Sequence, residues 1–406
     1  MCITLRMKDD MELRKKNRRL LVFYVLAVLV ATGALSFGYQ TFRGLGVTGL
    51  REPVVWGLYV VNFTFFLGLG AGILMILALI SAKEEISNKF KFLLSATAFI
   101  SLSVAGIFIT VDLGRIDRFY YLIIYPHPQS PLFWDFVMLN ILIFTSFVFC
   151  FVLLRRIFLN MDLPEKSIFA KRLIYRAVTF RKDIKMEKLL SRKASYIILL
   201  FVAVAYLVTP ELFVSLKAHP EWNTPLLSLI FLISSILCGF SAAILSEQFY
   251  NIFFNAKNSY FSSVKLKKIF LCLLTLDIGA IAAKYAIDKS NPLIERIYTL
   301  FPFSFLIFLI LGNVAPILLI LAYRRKESAL TYSVVPLLIM SGILLKRADT
   351  IIPAYFKRWL QFASEAVYVP AMPEILISLS LYSMGVLAVI GIFYLLRQLT
   401  GADKEL

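Results

Sequence analysis

Apolar runs near or above the roughly 18-residue length that spans a bilayer as a helix recur along most of the chain. Ten can be delimited, at 20–42, 55–81, 91–112, 131–154, 194–216, 224–250, 267–287, 298–322, 330–346 and 372–396, with short polar or basic connections between them. The pattern predicts an all-α integral membrane protein of about ten transmembrane helices. The first run is too long for the apolar core of a cleavable signal and has no small-residue cleavage site after it, so it reads as a span. Laying Trp56 on Trp222 also superposes Phe65 on Phe231 and Gly72 on Cys238. A similar offset relates Asp112-Leu113-Gly114 to Asp277-Ile278-Gly279. This faint repeat suggests two related four-helix bundles, 55–216 and 224–346, with a helix added at each end (20–42 and 372–396). Chance likeness between apolar segments is the competing explanation.

Composition agrees with the pattern. Of 406 residues, 60% are apolar and 17% charged, whereas soluble globules hold roughly 45–50% and about 25%. The formal charge of +18 is best read through its distribution. Lysine and arginine counted in alternate connections divide 31 to 12, with the larger share at 1–19, at 397–406 and in the loop 155–193. By the positive-inside rule both termini and that loop face the cytoplasm, in a multi-pass protein of the cell membrane. The charge is then a signal for topology and lipid headgroups, and nucleic acid is not an expected partner. The twelve on the other side include Lys346 and Arg347, counted as residues of a connection.

Few residues could hold a redox cofactor. The four cysteines (Cys2, Cys150, Cys238, Cys272) are far apart in sequence, and His127 and His219 each precede a proline between apolar runs. No haem or iron–sulfur cluster is therefore expected in this chain, and a metal electron carrier would belong to another subunit.

The connection between the third and fourth helices is richer. Residues 112 to 135 hold Asp112, Arg115, Asp117, Arg118, Tyr120, Tyr121, Tyr125, His127 and Asp135. Asp112 and Arg115 are one helical turn apart at a helix end that Gly114 permits, and Asp135 begins the returning helix. Glu52, Trp56, Tyr59 and Asn62 enter at the same level. A quinone headgroup suits this mixture: its carbonyls need hydrogen-bond donors, its ring needs apolar contact, and its redox change moves protons that a carboxylate or imidazole can relay. The alternative is an interfacial salt-bridge network with an aromatic belt. Gly68 and Gly72 form a GxxxG packing face. Asp277, in the middle of its helix, must face protein, with Lys284 seven residues on along the same face; a buried pair or a proton path are its two readings.

Trp56-Gly57-Leu58-Tyr59 leading into Gly68–Gly72, then Asp112-Leu113-Gly114-Arg115, then Ser130-Pro131-Leu132-Phe133-Trp134-Asp135 resemble the polysulfide reductase membrane subunits of the NrfD/PsrC-like family. Ten helices place the chain closest to the branch found in menaquinol-oxidising and sulfite-reductase-associated complexes. The resemblance implies a respiratory-chain subunit that binds quinone or menaquinone as substrate near the outer face. It would exchange electrons with an iron–sulfur protein docked there, or with a multihaem cytochrome c and further subunits. By the resemblance, Asp112, Arg115 and Asp135 fall on motif positions; Glu52, Tyr59, Asn62, Tyr120 and His127 are additions from position. Ile116 stands where many relatives have proline, and Asp135 where relatives of this branch often have glutamate. A transporter or channel is the alternative from another class, disfavoured because most ionisable groups gather at one interface rather than at the midplane. A purely structural anchor is the third reading.

Overall fold

The computed structural model describes residues 2–51, 54–81, 83, 85–159, 192–217, 219–254, 260, 264–289, 302–323, 329–353 and 368–400. Its helices, in chain order, are α1 (Cys2–Arg43), α2 (Leu58–Ser81), α3 (Asn88–Asp112), the single-turn α4 (Tyr121–Ile124), α5 (Pro131–Leu159), α6 (Arg192–Val214) and α7 (Pro225–Phe254). There follow α8 (Val264–Lys289), α9 (Pro302–Leu309), α10 (Ala315–Ala322), α11 (Ala329–Ile351) and α12 (Met372–Thr400). A π turn over Ile310–Val314 joins α9 to α10, and the described residues include no strand. Nine spans among the described residues are long and apolar enough to cross a membrane. The protein is an all-α, multi-pass integral membrane protein.

The apolar run at 330–346 does form a helix, α11, but that helix continues through Lys346 and Arg347 to Ile351. Both basic side chains are buried, at 4% and 1% exposure, and so are not residues of a connection. Removing them from the smaller set of basic residues sharpens the asymmetry of the remainder. The basic loop 155–193 lies mostly outside the described residues. Its ends extend helices: Arg155 and Arg156 close α5, and Arg192 and Lys193 open α6.

Helix α2 is the central pillar, nearly every side chain buried against α3, α6 and α7. The reason is steric. A Cβ on Gly72 would collide with the backbone of Ser235 and Gly239 on α7, and one on Gly68 would crowd the Tyr206 hydroxyl on α6, so small residues let backbones meet. At the other extreme the apolar span of α1, Leu20–Arg43, is little buried, as a helix facing lipid would be, and α1 packs against α12. Helix α3 is capped by the Ser87 hydroxyl, which accepts from the Lys89 amide. It stops at Asp112 because Leu113 turns extended. Gly114 has no positive φ; among the described glycines Gly44 alone does, at 73°. The anticipated glycine stop at Gly114 is therefore not used. Helix α5 begins at Pro131, where proline's missing amide costs nothing.

Candidate quinone pocket

Where α2, α3 and α5 converge, the connection from Leu113 to Ser130 folds over their ends in a 3-10 turn (Ile116–Arg118) and the short α4. This pocket end encloses a cavity of about 560 Å³, within the usual range for small-molecule sites. Four residues anticipated from sequence line it: Trp56, Asp112, Arg115 and Asp135. Arg118, Phe119, Tyr121 and Tyr125 join them, with Ile109, Phe136 and Leu139 among the apolar lining.

The two carboxylates differ in their surroundings. Asp135 is buried at 3% exposure, and its Oδ1 accepts a 2.5 Å hydrogen bond from the Thr209 hydroxyl on α6. Asp112 Oδ1 is buried and has no hydrogen-bond partner among the described residues. An orphaned buried carboxylate oxygen beside an apolar cavity is costly unless it is protonated or bound by a ligand. Trp56 forms a wall, stacked on Trp222 at 5.8 Å between ring centroids and meeting the edge of Phe213 at 5.3 Å. Phe119 and Phe136 add an edge-to-face pair at 5.6 Å.

The turn-spaced Asp112–Arg115 pair is corrected by the structure. Arg115 instead forks onto Asp117, Nε and Nη2 donating at 3.1 and 3.0 Å. This exposed pair raises the guanidinium pKa and holds the Asp117 carboxyl below its ordinary value, the mutual hydrogen bond being the largest cause in both. The helix ends before Arg115, and the 3-10 turn brings Asp117 nearer than Asp112.

Other candidates fall elsewhere. Tyr59 is buried behind the cavity, its hydroxyl donating to Gln40 Oε1 at 2.6 Å, while Gln40 Nε2 donates to the Val111 carbonyl at 3.0 Å. Asn62 is committed to α12: its amide donates to Ser378 Oγ at 3.0 Å and its carbonyl accepts from Tyr382 at 2.6 Å. Neither lines the cavity, and both tie α2 to neighbouring helices. Tyr120 is exposed with its ring against Tyr121, and His127 is exposed with Nδ1 3.2 Å from the Tyr125 carbonyl oxygen. Glu52 lies outside the described residues. Sequence reading missed Thr209, whose partner is 74 positions away. It also missed Glu374, fully buried, accepting from the Gly49 amide (2.6 Å), the Ala371 amide (2.8 Å) and the Tyr368 hydroxyl (2.6 Å). Tyr368 in turn accepts from the Leu58 amide at 2.8 Å, so this cluster pins the entry to α2. No signal in the sequence links these positions.

Asp277 does face protein, but its partner is not Lys284. Lys346 Nζ donates to both its oxygens at 2.7 Å, and Asn313 Nδ2 to Oδ2 at 2.9 Å. Lys284 pairs one turn along its own helix with Asp288. Seven residues along a helix separate groups by about 10 Å, whereas α11 delivers Lys346 directly. Among the described residues no group of three or more histidine, cysteine, aspartate or glutamate side chains is placed to hold a metal ion.

Comparison with known proteins gives this arrangement a context. A selenate reductase subunit from Mesobacillus selenatarsenatis is 27% identical over 360 residues, 82% of each chain. A protein of Halobacterium salinarum assigned as a dimethyl sulfoxide reductase membrane subunit is 24% identical over 416 residues, covering 93% of this chain and 92% of its own. An Hdr-like menaquinol oxidoreductase integral membrane subunit from Archaeoglobus fulgidus is 29% identical over 137 residues, 32% of this chain and 33% of its own. The family model described as polysulphide reductase, NrfD, matches residues 46–356. With the three motifs on α2, α3 and α5 converging on one cavity inside that match, the chain belongs to the NrfD family of membrane subunits.

Proposed function

We propose that this chain is the quinone-reactive membrane subunit of a multisubunit oxidoreductase, oxidising a quinol, menaquinol by resemblance, in the cavity at the pocket end. The observation that carries the reading is a pair of carboxylates on a cavity with aromatic walls, Asp112 with one buried oxygen unpartnered and Asp135 buried and held only by Thr209 among described groups. The quinol ring would pack between Trp56 and the Phe119–Phe136 side. Its hydroxyls would donate to Asp112 and Asp135, and these carboxylates would accept the protons as the electrons leave one at a time. Arg115 and Arg118 sit at the lining and would favour the anionic intermediate charge. Electrons would pass to an iron–sulfur or c-type cytochrome partner docked over the pocket end, which positive-inside counting places outside the cytoplasm. The same geometry serves the reverse reaction.

Asp135→Asn tests the reading. Asparagine keeps the shape and can still accept from Thr209, so the complex should assemble, while quinol-dependent electron transfer should fall roughly 100-fold or more, the scale of a lost acid–base group. If Asp135→Asn and Asp112→Asn both assemble and turn over quinol at the parental rate, the cavity is not the site.

A further inference from the structure

A second polar centre lies away from the cavity, among α6, α7, α8, the π turn and α11. Its construction is specific. Pro316 denies the Gly312 carbonyl its helical donor, and the chain widens into a π turn in which the Ala315 amide reaches back to the Ile310 carbonyl. Gly312 and Gly342 then bring the two backbones into contact. That approach sets Asn313, on the π turn, and Lys346, one turn beyond Gly342, on the two oxygens of Asp277. Single π turns of this kind recur at functional sites.

The next residue, Arg347, is also buried. Its guanidinium lies 3.4 Å from the Phe231 ring centroid. Nη2 donates to Ser234 Oγ (2.7 Å), the Tyr206 hydroxyl oxygen (3.2 Å) and the Phe231 carbonyl (3.3 Å). Nε and Nη1 are buried with no partner among the described residues. Such donors need an acceptor, and internal water is the usual one.

Charge arithmetic identifies the labile group. Among the described residues, the titratable groups that act on the two cations are Asp277, Cys238 and Tyr206, from α8, α7 and α6. With Asp277 ionised and both cations charged the centre is a net cation in a nonpolar interior. Protonating Asp277 would worsen this; loss of a proton from Lys346 leaves a neutral centre, Asp277 facing Arg347. Arginine cannot itself be deprotonated in this way. Helix α6 runs from this centre to the cavity. Tyr206 lies one helical turn before Thr209, the donor to Asp135, and Pro210 supplies no amide to the Tyr206 carbonyl.

We infer that the Lys346–Asp277–Arg347 cluster is a proton-exchange centre in which Lys346 releases and regains a proton through water held by the free N–H groups of Arg347, linked to Asp135 through Tyr206 and Thr209. In each release one N–H bond of the ammonium breaks, the proton passes to water and the electron pair stays on the amine. The inference rests on the quinol reading, which supplies the change at Asp135.

The test uses the whole complex in sealed proteoliposomes with a pH-sensitive dye inside and quinol as donor. Lys346→Arg keeps the positive charge and cannot release it. The parental complex should move more protons per quinol than quinol oxidation itself liberates. Lys346→Arg should oxidise quinol in the presence of an uncoupler within about two-fold of the parental rate and lose about one proton per quinol. Should Lys346→Arg fail to assemble, the double variant Asp277→Asn with Lys346→Gln, which removes both charges together, is read in the same way. A parental yield equal to that of quinol alone, or an unchanged yield in the variant that assembles, overturns the inference. Failure of the cavity reading shows separately, as an undiminished rate in Asp135→Asn.

Discussion

Among single residues, burial sorts the ionisable groups into those with complete sets of partners and those without. Glu374 belongs to the first kind. Three donors converge on it, and it ties Gly49, Ala371 and Tyr368 to the start of α12. Burial and the hydrogen bond to Glu374 push the Tyr368 phenol well above its ordinary value. The hydroxyl therefore stays protonated, and this donor contact persists below the folded-state pKa and is lost only as pH rises through it. Removing the acceptor strands several buried donors at about 1–3 kcal/mol each. Glu374→Ala should lower the thermal midpoint of the purified subunit and weaken apparent quinol affinity, whereas Tyr368→Phe should cost less, since only one donor and one acceptor go. Equal midpoints for Glu374→Ala and the parent would show that the cluster does not hold the loop. Asp112 is the contrasting case, with one oxygen orphaned.

Among the helices, the small residues decide which can touch. Gly72 meets Gly239 and the Ser235 carbonyl backbone to backbone, so a methyl group there has no flexible neighbour to displace. Overpacking a tight interior costs about 1–3 kcal/mol or more. Gly72→Leu should abolish recovery of folded subunit, and Gly72→Ala should reduce it, measured as monodisperse protein after detergent extraction. Gly279→Ala, where a Cβ would meet open space, should leave recovery unchanged and serves as the control. The same logic explains the register of the second centre, where Gly312 and Gly342 set the approach of the π turn to α11. Glycine pairs are visible in a sequence when both lie on one helix, as Gly68 and Gly72 do. Pairs across helices, such as Gly72 with Gly239, are not visible without knowing which helices adjoin.

Across the molecule, the helices form a bundle around α2 in which one end carries the cavity, and the sidedness we propose for it follows from the distribution of basic residues. The orientation is testable without knowledge of the partner subunits. A cysteine introduced at Ser167, within the basic loop and outside the described residues, should resist membrane-impermeant maleimide in intact cells and react after the cells are opened. Labelling from outside would reverse the proposed topology and put the proposed quinone cavity at the cytoplasmic face. The family match, residues 46–356, leaves all of α1 and all of α12 outside it. Those two helices nonetheless supply Gln40, Ser378 and Tyr382 to residues of α2 and Glu374 to the loop before it.

The helical kind of the elements was legible along the chain, and nine of the ten anticipated spans meet, among the described residues, the length and apolarity that a bilayer imposes locally. So was the short-range part of the cavity: Asp112, Arg115 and Asp135 lie on consecutive spans and the connection between them, where chain continuity forces proximity. Packing between helices fixed the rest. Whether Arg115 turned to Asp112 or Asp117 depended on where α3 stopped. The partner of Asp277 came from α11, 69 positions away, not from Lys284 on its own helix face. Lys346 and Arg347 look like the polar end of a span, and only the packing of α11 against α7 and the π turn shows them buried. One cause underlies all three. Along the chain, apolarity and helical period report what each residue does to its own helix, whereas a hydrogen bond between helices depends on which backbones approach closely enough to let the side chains meet.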